Sequence, residues 1–162
     1  RSGAEVNFAR FGGYLAGTIG ALEADLDKDG QVSLLEAYLL AARRTADFYE
    51  SEGRLATEHS LLDDNGDGLG TPPDWFRGIR AVKKARDGAS LDGVRAHQFH
   101  LIRSEAESKL PAAVRARRDE LELQILSLRA RKPELDEAKY YEQLEALLVE
   151  VARLTEAAGK TE

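Results

Sequence analysis

The chain of 162 residues contains no cysteine, no methionine, a single tryptophan and three histidines. Without cysteine there is no disulfide, no thiolate metal ligand and no cysteine nucleophile within it. His97 and His100 sit three apart, and no further histidine or cysteine cluster supports a zinc centre, so both read as structural or surface residues. His59 follows Glu58 and reads as a cap or tuner of its own segment rather than a catalytic base. Long apolar runs are also missing, and no stretch approaches the roughly 20 residues of a membrane-spanning helix. No nucleophile elbow, P-loop or dinucleotide-binding glycine pattern occurs. No signal peptide is visible. A chain that opens on Arg1 and lacks methionine reads as a fragment, a processed product or the ordered part of something longer. Absent targeting signals then say nothing about location.

What is present suffices for a core: 43% of residues are hydrophobic and 32% charged. The length suits one ordinary domain, or a small domain with an extension. Charge is uneven. Residues 1–76 carry 6 basic and 14 acidic side chains, 77–132 carry 14 and 7, and 133–162 carry 3 and 8. A basic middle flanked by acidic ends favours internal compensation over nucleic-acid binding.

The most informative stretch is Asp25 to Glu36, DLDKDGQVSLLE. It matches D-x-[DN]-x-[DN]-G-x₅-E at every specified position. Asp25, Asp27 and Asp29 offer carboxylates at positions one, three and five, and Gly30 permits the tight turn at six. Gln31 would offer its backbone carbonyl, Ser33 a hydroxyl or a held water, and Glu36 two closing oxygens. Calcium takes six to eight such oxygens in a flexible cage, which explains why four carboxylates share twelve residues. A second run, DDNGDGLGTPPD from Asp63 to Asp74, repeats the pattern imperfectly. Asp63, Asn65, Asp67 and Gly68 fit, with Leu69 and Thr71 as further oxygen donors. Gly70 stands where an apolar residue is expected, and the shorter Asp74 replaces the closing glutamate. A polar turn feeding a helix cap at Thr71-x-x-Asp74 is the alternative. Both loops resemble those of the EF-hand calcium-binding family, and their starts lie 38 residues apart, a spacing that suits two paired hands.

Around these loops the pattern predicts a mainly α chain. A glycine-rich helix is expected over residues 4–24, with Phe8, Phe11, Leu15, Ile19 and Leu22 on one face. A second is expected from about Ser33 to Glu52, a short one from Leu55 to Leu62, and another from Trp75 to Lys84, with Trp75 in the core. Val94 to Ile102 alternates and suggests an edge strand or extended arm. From Pro111 a heptad seam of Val114, Leu121, Ile125 and Leu128, interrupted by Arg118, turns at Lys132-Pro133-Glu134. It returns through Tyr140, Leu144, Leu147, Val151 and Leu154, with Tyr141 and Leu148 widening the stripe. Three regions follow: an EF-hand-like helix–loop–helix region over 1–86, an extended or irregular linker over 87–108, and a long antiparallel helical hairpin of coiled-coil character over 109–162.

The opening stretch RSGAEVNFARFGGYLAGTI resembles the end of the catalytic domain in bacterial legumain/caspase-like, peptidase-like proteins. The calcium loop, YESEGRLATEHSLLDDNGDG and the hairpin also resemble their tail. That resemblance implies an exported or periplasmic protein, with any His/Cys dyad upstream, and no catalytic residue carries over. The expected function is a calcium-binding structural or interaction module whose hairpin contacts a protein partner or the remainder of a longer polypeptide. A peptidase-related tail and a calcium sensor are the alternatives, and no self-contained catalytic site is expected.

Overall fold

The computed structural model describes residues 9–86 and 89–159, so the predicted helical residues 4–8 and the RSGAEVNF stretch lie outside the described residues. The chain is mainly helical and divides into two compact units, Arg1–Ser104 and Glu105–Glu162.

The first unit is organised on helix α2, Leu34–Ser51. Ser33 caps its start, with Glu36 reaching back in a reciprocal capping box. Leu35, Tyr38, Ala41, Ala42, Thr45 and Tyr49 recur at helical spacing and form its buried side. Helix α1, Arg10–Thr18, packs against this helix, with Phe11 meeting Tyr38 edge-to-face at 5.8 Å between ring centroids. The first amides of α1 donate to the Glu58 carboxylate, Arg10 at 2.9 Å and Phe11 at 3.0 Å.

α1 does not run on to residue 24. Ile19 turns extended, Gly20 adopts φ +92°, and a 3₁₀ turn over Leu22–Ala24 leads into the first loop. The expected helix over 55–62 is absent as well. Leu55 and Leu61 are exposed, so no apolar face rewards coiling, and Glu58 is committed to capping α1. The stretch after Trp75 is not helical either. A 3₁₀ turn, Pro73–Trp75, feeds a short hairpin of β2, Phe76–Arg77, and β3, Arg80–Ala81. Gly78, at φ +57°, lies in the connecting turn, and Trp75 is only half-buried.

The largest departure lies in 87–108. Within it Val94–Gln98 forms helix α3 and His100–Ile102 forms strand β4. β4 pairs antiparallel with β1, Val32–Ser33, in the register Val32 to Ile102 and Ser33 to His100. This segment belongs to the first unit, and the boundary falls after Ser104. Its alternating pattern fits an arm, but Asp64 decides otherwise. That carboxylate accepts from the Gly93 and Ala96 amides, both at 2.9 Å, and so starts a helix. Ala96 then joins Leu35 and Tyr38 in the core, with Phe11, Leu34, Leu39, Leu62, Phe76 and Ile79 packed around them.

In the second unit, helix α4, Glu105–Lys109, precedes α5, Ala112–Ala130, and α6, Glu137–Gly159. A 3₁₀ turn over Lys132–Glu134 joins α5 to α6. Leu121, Leu128 and Tyr140 are buried along their contact. Arg117 pairs with Glu150, whereas Leu128 and Arg131 share a groove with Gln143 and Leu147. Later residues of α5 thus meet earlier residues of α6. Arg118, the interruption in the seam, forks onto the buried Glu107 carboxylate at 2.8 and 2.9 Å. That hydrogen bond holds the guanidinium well above its ordinary pKa, against the opposing effect of burial.

Gly93 lies against Phe76 and Leu35 of the first unit's core. It sits at φ +107°, and a Cβ there would lie 2.7 Å from Cε1 of Phe76. Gly93→Ala is expected to destabilise the first unit by about 2 kcal/mol, from the left-handed backbone and the overpacking together. The check is a lower urea midpoint at unchanged m-value.

Candidate metal centre

Loop one begins where the 3₁₀ turn after α1 ends and closes inside the first turn of α2. Its backbone is bent by its own aspartates. Gly30 N donates to Asp25 Oδ2 at 3.1 Å, Asp29 N to Asp27 Oδ1 at 3.2 Å, and Gln31 N to Asp29 Oδ1 at 2.8 Å. Lys28 and Gly30 both take positive φ, +65° and +79°. Glycine adopts that region freely, whereas Lys28 does so at a steric cost. The Lys28 ammonium donates to the Asp25 carbonyl at 2.6 Å, which helps to hold it there.

The result is convergence of like charge. One carboxylate oxygen from each of Asp25, Asp27 and Asp29 lies within 4.8 Å of the others. Asp25 is buried, and its Oδ1 is the one buried side-chain oxygen or nitrogen among the described residues with no hydrogen-bond partner. A buried acceptor left unpaired is costly, and a cation is one partner that would remove the cost. Asp27 is held above its ordinary value of 3.8, first by burial and then by repulsion from Asp29 and Glu36, with the Asp29 amide and His97 pulling the other way.

Glu36 accepts hydrogen bonds through both of its oxygens. Oε1 accepts from Leu26 N at 2.8 Å, and Oε2 accepts from both the Ser33 amide and the Ser33 hydroxyl at 2.8 Å. It therefore ties loop position two to position nine while capping α2. Gln31 spends its side chain on neighbours: its amide donates to Asp29 Oδ2 at 2.8 Å, and its oxygen accepts from Ser104 N at 3.4 Å.

Loop two shows the same local bends. Gly68 N donates to Asp63 Oδ2 at 2.9 Å, Asp67 N to Asn65 Oδ1 at 2.9 Å, and Leu69 N to Asp67 Oδ1 at 2.8 Å. Gly66 and Gly68 take positive φ at the positions held by Lys28 and Gly30 in loop one. The surroundings differ. Asp63 Oδ1 is already used by Gly66 N at 2.7 Å, and no α-helix directly flanks the loop. Asp74 is exposed in a 3₁₀ turn. The two loops do not pair through their eighth positions. Val32 pairs with Ile102 instead, while Leu62 and Thr71 bridge within loop two's own stem. Gly70 explains the tight stem, because a Cβ there would lie 2.9 Å from Leu61 Cβ.

Three residues that are not among the expected metal donors complete the region. Asp92 is buried and accepts from Thr71 Oγ1 at 2.6 Å, Asn65 Nδ2 at 2.7 Å and Asp64 N at 3.4 Å. These include loop positions nine and two, the same pair that Glu36 ties in loop one. Asp64 caps α3, as described above. His97, on α3, places Nδ1 3.4 Å from Ser33 Oγ and Nε2 3.8 Å from Asp27 Oδ2. Its ring centroid lies 6.1 Å from that of His100. The sequence signal for Asp92 was slight: an acidic residue ahead of glycine in a stretch without other structure cues.

Asp27 supplies a pH test. A carboxyl whose folded pKa is raised binds its proton more tightly in the folded chain. Its stabilising contribution is therefore present at low pH and is lost as pH climbs from 3.8 through the raised value. In chelator, Asp27→Asn should gain stability relative to the natural chain as pH rises through that window, read by urea unfolding. A constant difference across the window would remove Asp27 as the source. No protein-family model, curated protein or solved structure matches this chain.

Proposed function

We propose that this chain is a calcium-binding structural and interaction module, with an EF-hand-like helix–loop–helix region and a long antiparallel helical hairpin. Calcium would be held in the first loop by Asp25, Asp27, Asp29, the Gln31 carbonyl, Ser33 and Glu36. The observation that carries this reading is the unpartnered, buried Asp25 Oδ1 beside two further converging carboxylates. An all-oxygen, multiply anionic set bent around left-handed turns suits a hard cation with flexible coordination, which favours calcium over transition metals. Bound calcium would neutralise the crowded carboxylates and fix α2 to the turn that precedes the loop.

The second loop enters the proposal as a weaker site, with Asp63, Asn65, Asp67, Leu69, Thr71 and Asp74 as donors. Its shared bends support this, while the short, exposed Asp74 supports the lower affinity. The hairpin is the partner-facing element of the proposal, for a protein or for the rest of a longer polypeptide. Tyr141, Leu148 and Val149 on α6 support it, each being large, apolar and at least 40% exposed.

Calorimetric titration of calcium into the full chain tests the central point. A tight phase is expected, and Asp25→Ala should remove it, with Glu36→Gln weakening it. Saturation at 100 times the dissociation constant should add about 2.7 kcal/mol of stability, seen as a rise in melting temperature. A tight phase that persists undiminished in Asp25→Ala would sink the assignment.

A further inference from the structure

The stretch from Ser90 to Ser104 touches both acidic loops in sequence. Its first half is tied to loop two. Ser90 N donates to Asp67 Oδ2 at 3.3 Å, the buried Asp92 carboxylate joins Asn65 to Thr71, and Asp64 caps α3 through Gly93 and Ala96. Its second half is tied to loop one. His97 lies against Ser33 and Asp27, Phe99 O accepts from Leu34 N at 2.8 Å, β4 pairs with Val32 and Ser33, and Ser104 N reaches Gln31. The five residues of α3 span the distance between the two sets.

We propose that this stretch is a clasp through which the second loop sets the ion affinity of the first. The proposal rests on the calcium reading of loop one and adds to it a route of communication. The loops have no direct strand pairing; α3 touches both, and α2 joins them a second time through Glu36 and the Tyr38 hydroxyl on the Thr71 carbonyl. Asp64 and His97 are positioning residues here. Neither is among the proposed donors, yet Asp64 fixes the start of α3 and His97 fixes where its end meets Asp27 and Ser33. With the Asp64 cap in place, α3 and β4 hold positions three, eight and nine of loop one near one another before the ion arrives. Removing the cap loosens α3, and the ion must then order that segment as it binds, which weakens binding. Linkage makes the effect reciprocal: calcium in loop one must tighten the grip of Asp64 on α3 by the same factor.

Hydrogen exchange on the full chain, with calcium and with chelator, tests this directly. Calcium is expected to slow exchange at the Gly93 and Ala96 amides, which are bonded to Asp64 of loop two. Asp64→Ala, which keeps every proposed donor, is expected to weaken the tight calcium phase by roughly fivefold or more. His97→Ala should leave Gly93 and Ala96 bonded to Asp64 but uncouple their exchange from calcium. Unchanged exchange at Gly93 and Ala96, while Gly30 and Gln31 become protected, would overturn the clasp and leave the calcium site standing. Protection at neither place would overturn the calcium reading and the clasp with it. Should Asp64→Ala fail to fold, the exchange measurement on the natural chain and on His97→Ala decides alone.

Discussion

Mutual repulsion among the aspartates of loop one is the constraint around which the first unit is built. Three carboxylates are drawn within 4.8 Å of one another, and one of them is buried. It is held partly from within, where Glu36 pins positions two and nine and Lys28 grips the Asp25 carbonyl, and partly from outside, where β4 closes the open edge at Val32. Tyr38 extends the same frame to the second loop, donating its hydroxyl to the carbonyls of Ser60 and Thr71. Burial pushes that phenol up to about 12, so the brace keeps its proton at any physiological pH.

Much of this was legible in the sequence because the information was local. Glycine spacing and aspartate spacing dictate the bends of both loops, and the same residues make those bends in the structure. Apolar periodicity placed α2, α5 and α6, which are long and amphipathic. The failures have two causes. Local glycine turns at Gly20 and Gly78 ended α1 early and made a hairpin of the residues after Trp75, whereas the conformation of 55–62 and 94–102 is set by distant partners: Glu58 spends itself on α1, and Asp64 starts α3. Local pattern cannot reveal a cap supplied by a residue about 30 positions away. Asp92 escaped notice for the same reason, since its partners precede it by 21 to 28 residues.

In the second unit, the interruption at Arg118 acquires a meaning that periodicity alone withheld. A charged residue in a hydrophobic seam is normally a penalty. Here it forks onto Glu107, and the pair satisfies itself at the base of α5. The pair ties α4 to α5, with Glu107 buried and Arg118 a quarter exposed.

The pairing of Val32 with Ile102 has a consequence in time rather than in energy. The two residues are separated by 70 positions. During synthesis at roughly 5–20 residues per second, loop one would emerge several seconds before the strand that closes its edge. Throughout that interval its aspartates would be presented to solvent without β4, and the contact could form only after a long loop had closed. Completion of the first unit is thus scheduled by the ribosome's arrival at residues 100–102, however early the acidic loop itself is made.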